Sequence, residues 1–152
     1  MSYILGVATS AAQGGMSVSN NMRRYDWVEK MWHTIDAHIN QDFRYGELDC
    51  CIFAARVVDA MCDTKHEELL RTHYSDEDTA LAYIEINGGL QEAVSTYLGK
   101  SCDGRAQRGD VVMFRGELGE TIGICVGPYI ASVYRNGIVF LQRDNIICRW
   151  VL

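Results

Sequence analysis

The 152-residue chain lacks any apolar run that approaches the roughly 20 residues of a membrane-spanning helix. It also lacks an excess of basic residues, since its net charge is −6 at pH 7 and its arginines are scattered. A chain of this charge has no electrostatic attraction for nucleic acid or for an anionic membrane surface. The N-terminus has neither the basic start nor the sustained apolar core of a secretory signal. We therefore predict no membrane span, no nucleic-acid partner and synthesis in the cytoplasm.

The six cysteines include no Cys-x-x-Cys pair, so their spacing does not favour a structural zinc site. Cys50 and Cys51 are adjacent, and the other four lie in apolar contexts. A chain of this length can build a core without disulfides. We predict free thiols in a reducing compartment, and neither a metal nor another cofactor. A metal or redox site that uses Cys50 and Cys51 is a competing hypothesis.

Helical patterns come first along the chain, and strand patterns follow after residue 105. The helical patterns predict a first helix capped by Asn20 or Asn21 that runs to about His38, and then helices over 50–62, 75–87 and 90–98. The β-rich runs cover 110–115, 121–127, 129–134, 137–141 and 146–151, and Asn136-Gly137 is a hairpin signal. Helices followed by a meandering antiparallel sheet predict an α+β domain.

The helix predicted over 50–62 has the most informative N-terminus in the chain. Phe53, Val57 and Met61 recur every four residues, which predicts a broad buried face. Asp49 can cap the helix, because its carboxylate can accept from the free amides of the first turn. Cys50 then lies where the helix dipole favours a thiolate, as a cysteine nucleophile requires. The alternative is that Cys50, like most cysteines, only fills space in the core.

Residues 1–20 are small, uncharged and rich in Gly, Ser and Ala, so they cannot build a core of their own. A few apolar side chains, such as Ile4 and Leu5, are placed among the small ones. We predict an N-terminal arm over residues 1–20 that docks on a neighbouring protein, followed by one domain over 21–152. The arm could add a strand to a sheet edge or lie in a groove of that neighbour.

The order of these parts resembles the NlpC/P60 family, which comprises papain-like cysteine peptidases of bacterial cell walls and phage tails. The resemblance rests on the Asp49-Cys50 helix and on the segments 108–114 and 121–127. Residues 27–150 are similar to a phage-encoded branch whose genes lie among the tail-tip genes of long-tailed phages. The middle segment of that branch matches Tyr74-Ser75 and Gly88-Gly89-Leu90 here. The resemblance implies a papain-like domain with N-terminal helices packed on a C-terminal antiparallel sheet.

The resemblance also implies a thiolate nucleophile at Cys50, a histidine base and a third polar residue. Thr121 stands where the family has its histidine, and the third position falls in residues 132–134, which are Ser, Val and Tyr. A hydroxyl cannot act as a base near neutral pH. All four histidines precede the sheet, and His38 and His73 are the candidates for a relocated base. Tyr45 would lie beside the thiol.

Two hypotheses of function follow from this resemblance. In the first, the protein is a pseudoenzyme in the virion, a structural or adaptor component of the phage tail tip whose arm binds other tail-tip or hub proteins. In the second, it is an active cysteine endopeptidase that cleaves peptidoglycan peptides during phage DNA entry. An imidazole or carboxylate within about 3–4 Å of the Cys50 sulfur would favour the second.

Overall fold

A computed structural model describes residues 21–152, so the predicted arm lies outside the described residues. The helices are α1 (Trp27–Ala37), α2 (Cys50–Cys62), α3 (His66–Leu70), α4 (Glu77–Ile86) and α5 (Leu90–Leu98). The strands are β1 (Val111–Gly116), β2 (Gly119–Cys125), β3 (Ile130–Tyr134), β4 (Gly137–Leu141) and β5 (Ile146–Trp150). The predicted α+β class, with helices before a C-terminal antiparallel sheet, is confirmed.

The five strands form one antiparallel sheet in the order β4-β3-β2-β1-β5. Strands β1 to β4 follow one another as a meander, and β5 returns to pair with the outer side of β1. The β3–β4 hairpin pairs Tyr134 with Gly137, so the turn lies at Asn136-Gly137 as the sequence predicts. Gly137 has φ +131°, and a Cβ there would lie 2.3 Å from the Ile39 carbonyl oxygen. Only glycine fits this turn, because it packs directly on the backbone that follows α1.

Helix α2 is the central helix, and it packs between α1 and the sheet. Its predicted stripe of Phe53, Val57 and Met61 is fully buried, which confirms the register inferred from the sequence. The sheet side of this core comes from β1 and β2, where Val111 pairs with Ile124 and the next pair on the same face is Met113–Ile122. The α1 side comes from Met31 and Ile35.

The predicted start of the first helix is wrong. Helix α1 begins at Trp27, after Asp26, and not at a cap formed by Asn20 or Asn21. Asn21 instead bonds to residues far along the chain: its Nδ2 donates to the Tyr97 carbonyl over 3.2 Å. The Arg24 N–H likewise donates to the Met61 carbonyl over 2.8 Å. These long-range bonds hold the segment before α1 out of the helix, since its polar groups are already paired.

A buried carboxylate links the two ends of the domain. Asp110, immediately before β1, is fully buried and accepts from the Arg149 guanidinium over 3.0 Å and from the Gln107 N–H over 2.8 Å. Arg23 lies 3.5 Å from the other oxygen and covers the ring of Trp27. The segment before α1 and strand β5 are therefore fixed to the same acidic group.

We expect Phe53→Ala to lower the free energy of unfolding by about 3–5 kcal/mol, because a fully buried aromatic ring is lost and leaves a cavity. The measurement is chemical denaturation followed by fluorescence. Ile86→Ala is the matched control, because Ile86 on α4 is 83% exposed and its truncation should change stability by less than about 0.5 kcal/mol. Equal effects of the two substitutions would contradict the central position of α2.

Candidate functional site

The carboxylate of Asp49 organises the N-terminus of α2. Its Oδ1 accepts from the Ile52 N–H and from the Tyr74 hydroxyl, each over 2.9 Å. Its Oδ2 accepts from the Gly46 N–H over 3.0 Å. The predicted N-cap is confirmed, and the same side chain also fixes the preceding turn and the loop before α4. Because Asp49 is 3% exposed and accepts from three groups of the protein, its role is to hold these segments together.

The turn before α2 is closed by contacts that only glycine allows. Gly46 has φ +82°, and a Cβ there would lie 2.2 Å from the Ser75 carbonyl oxygen. Arg71 donates to the carbonyls of Gly46 and Glu47, each over 2.7 Å. The turn is therefore pressed against the chain that follows α3, and Tyr45 is held beside Cys50 by this packing.

The two adjacent cysteines have different environments. Cys50, the first residue of α2, is half-buried, whereas the Cys51 thiol faces the interior. A hydrogen bond with Cys50, together with burial, raises the pKa of Cys51 well above its usual range. Cys51 therefore stays protonated at neutral pH, although both residues of the pair are half-buried.

Cys50 lies at one end of an apolar cavity of about 200 Å³, which we call the α2 cavity. One wall is the face of α2 that runs from Cys50 to Val58, and the other walls come from α4, α5 and β2. Alanines and tyrosines form much of the lining, namely Ala54, Ala55, Ala80, Ala93, Tyr45, Tyr74, Tyr83 and Tyr97. At the rim, Leu81 and Leu118 are 50% and 65% exposed.

Thr121, which the resemblance to NlpC/P60 peptidases predicts at the place of their histidine, also lines the α2 cavity. Its hydroxyl donates to the Gly119 carbonyl over 2.9 Å. Because side chains alternate along a strand, Thr121 lies on the sheet face opposite to Ile122 and shares its face with its partner Phe114. Its Oγ1 comes within 3.6 Å of the position that a Cβ on Gly116 would take.

A tyrosine hydroxyl stands beside Thr121. A Cβ on Gly116 would lie 2.5 Å from the Tyr134 hydroxyl oxygen, so the Thr121 and Tyr134 hydroxyls are neighbours. Burial raises the pKa of Tyr134, and the negative charges that Glu117 and Cys50 can carry raise it further. Ser132, in the middle of β3, is buried and donates to the Ile122 carbonyl over 2.9 Å. None of these three hydroxyls can accept a proton near neutral pH.

The two candidates for a relocated base have other partners. His38 Nε2 accepts from the Arg56 guanidinium over 2.7 Å, and its Nδ1 donates to the Thr34 carbonyl over 2.7 Å. Because an arginine only donates, Nε2 is the accepting nitrogen of His38 in this pair. His73 stacks on Tyr83 with ring centroids 4.7 Å apart, and burial lowers its pKa. Neither histidine is among the residues that line the α2 cavity.

The histidine that does line the cavity is His66, which our sequence analysis did not select. The backbone N–H of His66 donates to the Asp59 carboxylate over 2.8 Å, which fixes His66 near the C-terminal half of α2. At 1.5 Å per residue, Asp59 is about 13 Å along the helix from Cys50. His66 therefore lies at the end of the cavity away from the thiol. No local pattern could have selected it, because its ring bonds to Asn21, 45 residues away.

Two further findings apply to residues 21–152. No helix there is both long and apolar enough to cross a membrane. Nor does this range bring together three or more His, Cys, Asp or Glu side chains in an arrangement that could hold a metal ion.

A protein-family model described as a domain of unknown function (DUF6950) matches residues 22–152. No curated protein matches the chain. The matched range contains every helix and strand described above, and it leaves out residues 1–20.

Tyr74→Phe should lower the free energy of unfolding by about 1.5–3 kcal/mol, because it removes a buried hydrogen bond to a carboxylate and little volume. The measurement is urea denaturation at pH 7. Tyr25→Phe makes the same chemical change at a side chain that is 96% exposed, and we expect no change from it. Similar stabilities of both variants and the parent would show that Asp49 does not depend on the Tyr74 hydroxyl.

Acidification should weaken the fold in part through His66. Burial lowers the pKa of His66 below the value of about 6.5 that it has in the unfolded chain. As pH falls from 7 to 5, His66 therefore becomes protonated in the unfolded chain before it does so in the folded chain. The unfolded state then binds more protons, and the free energy of unfolding decreases. The variant His66→Gln has no proton uptake at this position and keeps a donor for Asn21 Oδ1. The free energy of unfolding of this variant should therefore decrease less over the same pH range.

The control for this prediction is His33→Gln, since His33 is exposed on α1. Its stability should follow that of the parent across the range. If His66→Gln and the parent lose stability in parallel from pH 7 to 5, the His66 ring does not resist protonation in the fold.

Proposed function

The chain belongs to the DUF6950 family, and we propose that it is a papain-like domain of the NlpC/P60 type that acts without catalysis. Its function in this proposal is that of a structural or adaptor protein in the tail tip of a phage virion. The observation that carries the proposal is the set of groups at the Thr121 end of the sheet. Thr121, the residue that corresponds to the histidine in the NlpC/P60 resemblance, has a hydroxyl bonded to the Gly119 carbonyl and the Tyr134 hydroxyl beside it, and neither group is a base.

Two features support the papain-like part of the proposal. A cysteine begins the central helix, and that helix packs on an antiparallel sheet through Phe53 and Ile122. The residue at the family's histidine position, Thr121, lines the same cavity as Cys50. The elements that would hold a nucleophile and its base are therefore near one another, although the base itself is replaced.

The adaptor part of the proposal follows from what remains once the base is lost. The Asp49 network makes the surroundings of Cys50 rigid, and the α2 cavity offers an apolar groove with exposed leucines at its rim. Such a site binds without a chemical step. The partners we propose are other tail-tip or hub proteins, which contact the arm over residues 1–20.

The alternative function is a cysteine endopeptidase that cleaves peptidoglycan peptides during DNA entry. The half-buried Cys50 at the N-terminus of α2 favours it, because the helix terminus can stabilise a thiolate. Within residues 21–152, however, His38, His66 and His73 all have partners away from this sulfur. An active enzyme would need its base from elsewhere.

The proposal is tested by complementing a phage that lacks this gene with two variants. We expect Cys50→Ser to enter particles and to leave infectivity within about twofold, because no thiol chemistry is required. Deletion of residues 2–18 should leave a folded domain that no longer enters particles. Particles that contain Cys50→Ser but have lost infectivity more than about 100-fold would favour the endopeptidase. Normal incorporation of the truncated chain would show that the arm is not the adaptor contact.

A further inference from the structure

The α2 cavity opens to solvent beside Leu81 and Leu118 and extends inward between α2, α4 and α5. We propose that it binds a small uncharged aromatic molecule that carries one hydrogen-bond acceptor, such as a ketone oxygen. The arguments concern the volume of the cavity, its walls, its charges and its one available donor. They do not depend on the phage assignment, because they concern only residues that line the cavity.

The volume of the cavity fits a single ring. It measures about 200 Å³. A cavity of about 150 Å³ with apolar walls binds benzene, so the α2 cavity has room for a ring with a substituent of about two or three heavy atoms. Small side chains maintain this space, because Ala54 on α2 and Ala93 on α5 are both buried in its lining. The volume therefore selects a small molecule.

Tyrosine rings form much of the wall around this space. Tyr45 and Tyr74 line the end near Cys50, and Tyr83 and Tyr97 line the part between α4 and α5. Aromatic rings in offset or edge-to-face contact attract one another beyond the effect of the area they bury. A flat ring also loses less conformational freedom on binding than a flexible alkyl chain does. The walls therefore favour an aromatic ligand.

The charges of the lining disfavour an ionised ligand. Asp49 and Glu120 are its carboxylates; Asp49 accepts from three groups of the protein, and Glu120 is exposed. No lysine or arginine within residues 21–152 lines the cavity, and burial lowers the pKa of His66, so an anion would have no cationic partner inside. A cation could pair with Glu120, but an exposed pair of this kind contributes little. An uncharged ligand has neither difficulty.

The hydroxyls of Tyr83 and Tyr97 provide one hydrogen-bond donor. They bond to each other over 2.8 Å. Burial raises the pKa of both tyrosines, so both keep their hydrogen at neutral pH. One bond between two hydroxyls uses one of the two hydrogens, and neither hydroxyl bonds to a further residue within 21–152. The remaining O–H can donate to a ligand oxygen, which is why the proposed ligand carries an acceptor.

The first test titrates the isolated full chain with acetophenone, a ring that carries a methyl ketone, and follows the binding by NMR. We expect saturable shifts with a Kd of about 1 mM or tighter, as is typical of a ligand of this size. Benzoate has the same size but is an anion, and it should bind at least tenfold more weakly. The proposal is overturned if acetophenone does not bind or if benzoate binds as tightly.

Two leucine substitutions locate the bound acetophenone. Ala93→Leu fills part of the cavity and should raise the Kd at least tenfold. Ala82→Leu introduces the same side chain at an exposed position of α4 outside the lining, and it should leave the Kd within about twofold of the parent value. An unchanged Kd in a folded Ala93→Leu variant would place the ligand elsewhere and overturn the proposal.

A measurement on the unmodified sequence covers the case in which Ala93→Leu does not fold. Cys50 lines the cavity and Cys102 is exposed outside it. Saturating acetophenone should slow the reaction of Cys50 with N-ethylmaleimide at least threefold and leave the rate of Cys102 unchanged. Equal effects on the two cysteines, or none on Cys50, would contradict binding in the cavity.

The acceptor is tested with the double variant Tyr83→Phe/Tyr97→Phe and with α-methylstyrene, in which a CH₂ group replaces the ketone oxygen. The double variant should bind acetophenone about fivefold more weakly than the parent, which is the usual effect of one lost hydrogen bond. It should bind α-methylstyrene within about twofold of the parent. Each single variant retains one hydroxyl hydrogen and should bind acetophenone as the parent does. Equal losses for the two ligands, or a loss for neither, would overturn the assignment of an acceptor.

These titrations use the isolated protein and the particle experiment uses infection. A failure to bind acetophenone is therefore distinct from a failure of the proposed adaptor function.

Discussion

The site depends on one buried carboxylate. Asp49 accepts from the Ile52 amide, the Gly46 amide and the Tyr74 hydroxyl, so it joins α2, the turn before it and the loop before α4. These donors would be buried without partners if the carboxylate were removed, at a cost of about 1–3 kcal/mol for each. The thiol of Cys50 is the next residue along the chain, and its position is therefore set by a network in which it takes no part.

The α2 cavity lowers the stability that the same core can provide. Because it opens to solvent beside Leu81 and Leu118, its apolar walls stay in contact with water, at roughly 25 cal/mol per Å² of apolar surface. Alanines at positions 54 and 93 keep the space open where larger side chains would close it. A ligand that covered these walls would gain stability from the apolar surface it removes from water.

The sequence predicts those parts of this structure that depend on local interactions. The α2 stripe, the Asp49 cap and the β3–β4 turn follow from periodicity and from residues a few positions apart. The start of α1 could not be predicted, since Asn21 is a good cap by type but pairs with Tyr97 and His66. For the same reason His66 was not recognised as a cavity residue. Contacts between residues that are 45 or more positions apart in the sequence depend on how the elements pack, and local patterns do not encode that packing.

The polar groups near Cys50 are satisfied without it, and this is the deepest contrast with a papain-like peptidase. In such an enzyme the nucleophile, base and orienting residue satisfy one another, so the loss of one leaves a buried partner unpaired. Here Thr121 bonds to the Gly119 carbonyl, and Ser132 bonds to the Ile122 carbonyl. Each of these two hydroxyls donates to a backbone carbonyl of its own sheet, so neither needs a hydrogen bond from the thiol. Replacement of Thr121 by histidine would remove the Gly119 bond. The hydroxyls of Thr121 and Ser132 are thus satisfied independently of Cys50, and neither can act as a base for its thiol.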